Sequence, residues 1–220
     1  SRRAFIGAGV AAGGALVVGV AVRQGNPVDK LGPLLTNGEN EQLLNAWVKV
    51  DTDNIVTAAI PHAEMGQGVY TALAQMLADE MDADWSKVRI LEAPADMQYV
   101  SDSIGRDFLF PDLEVPALFE PTVAGGILEL AQAMGLQFTG YSVRATGQRA
   151  MRTAGAAARE MLVAAAASEW QVPTSEITTA DSMISHAKSG KSEPFAKFAL
   201  AAAEQSLPAK PRLKSPDNYK

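Results

Sequence analysis

Apolar and polar residues alternate along Ala46-Trp47-Val48-Lys49-Val50 and again along residues 55–60, with Asp51-Thr52-Asp53-Asn54 between them. Period-two alternation around an Asp/Asn-rich turn predicts a β-hairpin. The period then changes. Over 69–81, Leu73, Met76, Leu77 and Met81 recur on one face, which predicts an amphipathic helix that Asp82-Ala83-Asp84-Trp85 ends. Residues 88–93 read as a third strand, after which Pro94, Pro111, Pro116 and Pro121 break up a long region with a short helix over 125–135. The longest helical stretch is 146–170, where alanine, the best helix former, dominates. Arg149, Arg152 and Arg159 fall on one side of it, with Ala154, Ala157, Met161, Ala164 and Ala165 nearer the other. So many small residues would let neighbouring elements pack closely. A hairpin over 177–179 and 183–186 turns at Asp181-Ser182, a helix follows over 194–203, and three prolines mark an extended basic tail. Strands interleaved with helices predict a mixed α+β (α/β) fold.

This pattern divides the chain into four parts: 1–25, a linker over 26–44 rich in Gly, Pro and Asn, a domain over 45–207, and an extended tail over 208–220. The first part opens Ser1-Arg2-Arg3-Ala4-Phe5-Ile6 and continues uncharged to Val22. Paired arginines before an apolar Gly/Ala-rich run resemble a twin-arginine export signal. The run also approaches the ~20 residues of a membrane-spanning helix. Five glycines make it only moderately hydrophobic, which favours export. Gly19-Val20-Ala21-Val22 is a poor cleavage site, so the expectation is a signal or an uncleaved membrane anchor helix. Proteins exported this way fold first, often around a cofactor.

Composition narrows the functional classes. The chain is 47% hydrophobic and 20% charged, as a folded domain is. Residues 26–220 hold all 25 acids against 16 of the 19 bases, a balance of −9, which argues against nucleic-acid binding. There is no cysteine, so this chain supplies no thiolate to a metal or an iron–sulfur cluster.

Candidate chemistry centres on Glu64-Met65-Gly66-Gln67-Gly68, between a strand and a helix. A Gly-x-Gly turn there lets backbone approach a bound anion, because the first N–H groups of a helix lack intrahelical partners. Gln67 adds a neutral donor and acceptor suited to phosphate or metal-oxo groups. Other constellations are weak. His62-Ala63-Glu64 lacks the downstream cysteines of a zinc deaminase. His62 and His186 are the only histidines and read as surface or hydrogen-bonded residues. No Gly-x-Ser-x-Gly elbow, Walker loop or full Gly-x-Gly-x-x-Gly fingerprint is present. The pairs Asp51/Asp53, Asp79/Glu80 and Asp82/Asp84 read as solvated turn and helix-end charges, and the arginine stripe as a solvated or ion-paired face with phosphate binding the lesser reading.

Several stretches, in order, resemble the molybdenum-binding large subunits of the xanthine oxidase family. The similarity is to the exported branch typified by isoquinoline 1-oxidoreductase beta subunits and membrane-linked aldehyde dehydrogenases. The stretches are residues 61–69, with the Gly-Gln-Gly, residues 77–88, Ala93-Pro94-Ala95-Asp96, Thr139-Gly140-Tyr141-Ser142-Val143-Arg144, and residues 152–159. The resemblance implies a partial molybdopterin-binding domain, with a mixed sheet and packed helices. It implies a molybdopterin cytosine dinucleotide whose dithiolene holds the molybdenum, with no metal ligand from this chain. Cofactor contacts map onto Gly66, Gln67 and Gly68, with Gln67 beside the metal's oxo group, and onto Thr139, Gly140, Ser142, Val143 and Arg144. The second loop is shorter than in close relatives and carries a tyrosine.

The resemblance further implies a periplasmic hydroxylase that oxidises an aldehyde or N-heterocycle with oxygen from water. Its electrons would leave through a [2Fe–2S] small subunit and a cytochrome c subunit. The family's catalytic glutamate lies far beyond the matched region and has no counterpart here, so no catalytic residue is assigned and Gln67 is a supporting one. The chain is then either one part of a longer or split large subunit, which is the favoured reading, or a non-catalytic remnant. The alternative function is a membrane-anchored assembly or scaffold subunit of such a complex.

Overall fold

A computed structural model describes residues 5–10, 16–21, 27–36, 40–94, 99, 123, 126, 143 and 147–220. Its central sheet runs in the order β3 (Glu41–Asn45), β4 (Val48–Asp51), β5 (Val56–Ile60) and β6 (Val88–Glu92). β3, β4 and β5 form an antiparallel meander, and β6 pairs parallel to β5, from Val56 opposite Val88 to Ile60 opposite Glu92. Parallel neighbours need a crossover connection, and α2 (Val69–Met81) supplies it. The sheet is therefore mixed, as the family resemblance implies.

The predicted turn joins β4 to β5. Asp51 accepts hydrogen bonds from the N–H groups of Asp53 and Ile55, both 2.9 Å, and Asn54 takes the left-handed conformation at φ 64°. The apolar face of α2 is fully withdrawn from water at Leu73, Leu77 and Met81. Each such side chain contributes about 1.5–3 kcal/mol relative to exposure. α2 packs on α3 (Arg152–Trp170), which one π-helical turn, Gly147–Met151, precedes. The alanine-rich face permits close approach. A Cβ on Gly155 would sit 2.4 Å from the Leu77 carbonyl oxygen, so only glycine fits at that crossing.

Beyond α3 come a three-stranded antiparallel sheet, β7 (Ile177–Ala180), β8 (Met183–His186) and β9 (Lys191–Pro194), and then α4 (Phe195–Ala203). The β7–β8 turn falls at Asp181-Ser182, both at positive φ. Ser182 is fully buried, and with Asn54 it links four segments: Asn54 donates to the Ser182 carbonyl at 3.1 Å and accepts from Ala196 N–H at 3.0 Å, while Ser182 Oγ accepts from Asp84 N–H at 2.8 Å.

Four expectations change. Residues 26–44, expected as a linker, hold α1 (Pro27–Leu35) and β3. Leu31 and Leu35 are buried, and the ammonium of Lys49 caps the Leu35 carbonyl at 2.7 Å, so Gly and Pro content there hid a packed element. The run expected as a signal or anchor helix contains two antiparallel strands, β1 (Phe5–Val10) and β2 (Leu16–Ala21). Its glycines each cost a helix about 1 kcal/mol relative to alanine, and its valines favour extended backbone. No helix among the described residues is long and apolar enough to cross a membrane. Glu80, expected as solvated, is 1% exposed and paired, because the tail folds back over it. That tail has no regular structure over 208–215, bends at Ala209-Lys210, closes one turn at Pro216–Asn218, and packs along α2 and α3. Of the short helix expected over 125–135, only Gly126 falls among the described residues, in helical conformation.

Candidate functional site

The Gly-Gln-Gly loop leaves the C-terminal end of β5 and enters α2, the edge of a parallel strand pair where ligands of open α/β sheets bind. Gly66 lies at φ 90° and Gly68 at φ 76°, ψ 19°. A Cβ on either would meet nothing within 4 Å, so backbone conformation, not space, requires glycine at both. The loop faces solvent, and Met65 at its tip is 71% exposed.

Its hydrogen bonds differ from those of an open anion cradle. Glu64 Oε1 accepts from Gly66 N–H at 2.7 Å and Gly68 N–H at 3.0 Å, and Oε2 accepts from Tyr70 N–H at 3.1 Å. The Tyr70 and Gly68 bonds hold the carboxyl below the usual glutamate range. The seat expected for an external anion is thus taken by the chain itself. Gln67 folds over the same turn: its Oε1 accepts from Met65 N–H and its Nε2 donates to the Ala63 carbonyl at 2.9 Å. A backbone N–H can only donate and a carbonyl can only accept, so the amide cannot be flipped. Gln67 is exposed, and the second N–H of Nε2 has no partner among the described residues. His62 lies buried behind the loop, and burial lowers its pKa, favouring the neutral imidazole.

Of the second expected segment, Val143 alone is described; Thr139, Gly140, Ser142 and Arg144 lie outside the described residues. Val143 lines a cleft of about 620 Å³ with Gln75, Met76, Asp79, Arg152, Tyr219 and Lys220. Gly66–Gly68 and Val143 therefore meet the same helix, with Gln75 about 10 Å along its axis from Gly68. Two arginines of the stripe resolve as ion-paired: Arg152 binds Glu80 at 2.6 Å, and Arg159 lies 3.9 Å from it, while the Arg149 side chain lies outside what is described. His186 is buried and hydrogen-bonded to Glu176 at 3.0 Å and Ser189 at 2.7 Å.

Glu64 was overlooked as a site residue, although its place was readable. A carboxylate just ahead of a helix start is favoured there by the helix dipole, and a following Gly-x-Gly supplies N–H groups for it to collect. Among the described residues no group of three or more His, Cys, Asp and Glu could hold a metal ion. A metal at this loop would therefore draw its ligands from a cofactor or from residues elsewhere. The loop fits such a cofactor in one respect: it presents a neutral, orientation-locked amide donor on an exposed edge, suited to an oxo or pterin group. It does not fit a bare phosphate, because Glu64 occupies that position.

Residues 9–105 match the molybdopterin cofactor-binding domain family. The matched span includes α1, β3 and the whole central sheet with its Gly-Gln-Gly loop. Over 155 residues the chain is 34% identical to isoquinoline 1-oxidoreductase subunit beta of Brevundimonas diminuta, covering 70% of this chain and 16% of that protein. Over 94 residues it is 40% identical to the membrane-bound aldehyde dehydrogenase (pyrroloquinoline-quinone) of Gluconacetobacter polyoxogenes, covering 41% of this chain and 11% of that one. A crystal structure of quinoline 2-oxidoreductase from Pseudomonas putida 86 covers 74% of this chain and 17% of its own, at a TM-score of 0.44 and 19% identity. The chain spans less than a fifth of each of these proteins. Over these spans the chain is homologous to the isoquinoline 1-oxidoreductase beta subunit and the membrane-bound aldehyde dehydrogenase, and residues 9–105 carry the molybdopterin cofactor-binding match.

Proposed function

We propose that this chain is part of a molybdenum hydroxylase that oxidises an aldehyde or an N-heterocycle with oxygen derived from water. The observation that supports it most is Gln67, exposed, with its amide fixed by Met65 and Ala63 between two left-handed glycines, in a segment matching a molybdopterin cofactor-binding domain. The bound cofactor, in the cytosine dinucleotide form, would supply the two-electron redox chemistry. Gly66 and Gly68 let the backbone come close, Gln67 donates a hydrogen bond without adding charge, and Glu64 keeps the turn closed. Glu64 fills the N–H groups at the start of α2, so residues 139–144 would be the candidate contact for the dinucleotide phosphates. With no cysteine in the chain, electrons leave through a [2Fe–2S] small subunit and then a cytochrome c subunit. The catalytic base comes from the remainder of the large subunit or from a separate chain. Arg2-Arg3 and the uncharged run behind them support a periplasmic location for the complex.

The test is made on the assembled complex. Molybdenum and a pterin are expected in equal amounts with this chain. Because one relative's name carries pyrroloquinoline quinone, quinone is assayed too, and quinone without molybdenum would overturn the proposal. Gln67→Ala should then lower kcat about 10²-fold, the scale of one lost donor at a reacting centre. Its thermal midpoint should stay that of the parent, since the side chain is exposed. Full activity of the variant would remove Gln67 from the site.

A further inference from the structure

Glu64 lies at the centre of the loop, yet the proposed reaction gives it no chemical task. Its geometry is nonetheless specific. One carboxylate gathers the N–H groups of Gly66, Gly68 and Tyr70 within 2.7–3.1 Å. Those residues span both left-handed glycines and the first turn of α2. Two glycines in sequence contact with solvent would otherwise sample many backbone states. Three bonds to one side chain select a single state. That state also fixes the Met65 N–H and the Ala63 carbonyl, the two backbone groups that orient the Gln67 amide.

We infer that Glu64 is a positioning residue: its carboxylate locks the Gly66-Gln67-Gly68 turn so that Gln67 presents an N–H donor, and it bars phosphate from the start of α2. This rests on the reading of Gln67 as a cofactor contact. The locking and the exclusion are one effect, because the N–H groups bound to Glu64 are those a phosphate would use. An ordinary helix cap would alter only helix stability. A positioning residue alters what Gln67 offers, and its removal opens an anion seat that the wild-type chain lacks.

Glu64→Ala and Glu64→Gln in the assembled complex separate these roles. Glutamine keeps an oxygen for Gly66 and Gly68 but places an NH₂ against the Tyr70 N–H, so it should restore the turn in part. The expected order of kcat is wild type, then Glu64→Gln, then Glu64→Ala about tenfold down, the scale of one misplaced hydrogen bond. KM and molybdenum content should stay near wild type, while the electron paramagnetic resonance of the reduced molybdenum changes. Independently of activity, inorganic phosphate should show ³¹P line broadening with Glu64→Ala and none with wild type. A wild-type complex that lacks molybdenum sinks the cofactor reading beneath this inference. A loaded wild type whose Glu64→Ala variant keeps kcat, resonance and phosphate silence overturns the inference and leaves that reading standing. If Glu64→Ala fails to assemble, Glu64→Gln decides: wild-type melting with lowered kcat supports positioning, and wild-type kcat overturns it.

Discussion

Two glutamates flank the helix at the centre of this protein and use similar bonds to different ends. Glu64, ahead of α2, is exposed, and its partners are backbone N–H groups no more than six residues away. Glu80, in the last turn of α2, is 1% exposed, and its partners come from 72 to 134 residues further along the chain. Arg152 grips it at 2.6 Å from α3, Arg159 donates to its carbonyl, and the tail's Lys214 N–H donates to its carboxylate at 2.9 Å. The exposed carboxylate shapes a loop that other molecules can reach. The buried one joins two helices and the tail, where any ligand role is blocked by packing. Burial and partner distance, not residue type, separate the two uses.

Glu80→Ala should produce the larger change. It removes the carboxylate that Arg152, Arg159 and the Lys214 N–H share, and breaking such a buried pair costs about 3–5 kcal/mol. Urea unfolding should show a lower midpoint, together with release of the tail in limited proteolysis. A loss below about 1 kcal/mol, as for a surface pair, would mean that the contrast between the two glutamates is wrong. Gly155→Ala sharpens the same side of the comparison without touching a charge. Its methyl would meet the Leu77 carbonyl oxygen at 2.4 Å and Glu80 Cβ at 3.1 Å. A backbone oxygen cannot rotate away, so overpacking should cost about 1–3 kcal/mol on the same unfolding curve.

The smallest effect lies at Glu64 and is read by pH. Backbone donors lower its folded pKa below the ordinary 4.5, so its contribution is present above that value and lost as pH falls through the lowered one. The amide resonances of Gly66 and Gly68 should therefore hold steady through pH 4.5 and move only below it. Movement centred at or above that value would show that the three hydrogen bonds do not persist in solution.

Local elements were legible because each carries its own period. The α2 boundaries, the β4–β5 turn and the β7–β8 hairpin follow from side-chain spacing and turn chemistry within about ten residues. The Gly-Gln-Gly loop was legible for the same reason, and so was its neutral donor. What could not be read is where remote partners arrive. Residues 27–35 look like a linker until β3 and Lys49 give Leu31 and Leu35 something to pack against. Glu80 looks like a helix-end charge until Arg152 and Lys214 close over it. Glu64 falls between these cases: its partners are local, but three converging N–H groups exist only once two glycines adopt positive φ.

By itself the sequence determined the mixed α+β class, the strand–loop–helix carrying Gln67, and the absence of any thiolate from this chain, since all three depend on residue type and short-range spacing. Tertiary structure alone decided that Arg152 and Arg159 serve Glu80, that the tail lies along α2 and α3, and that Val143 reaches the helix begun by Gly68. The physical reason is distance along the chain. A period or a turn is set by neighbours, but burial and ion pairing are set by whichever distant segment arrives, and no local pattern names that segment. The Glu64 carboxylate marks the boundary between the two, a local contact whose consequence for Gln67 appears only in three dimensions.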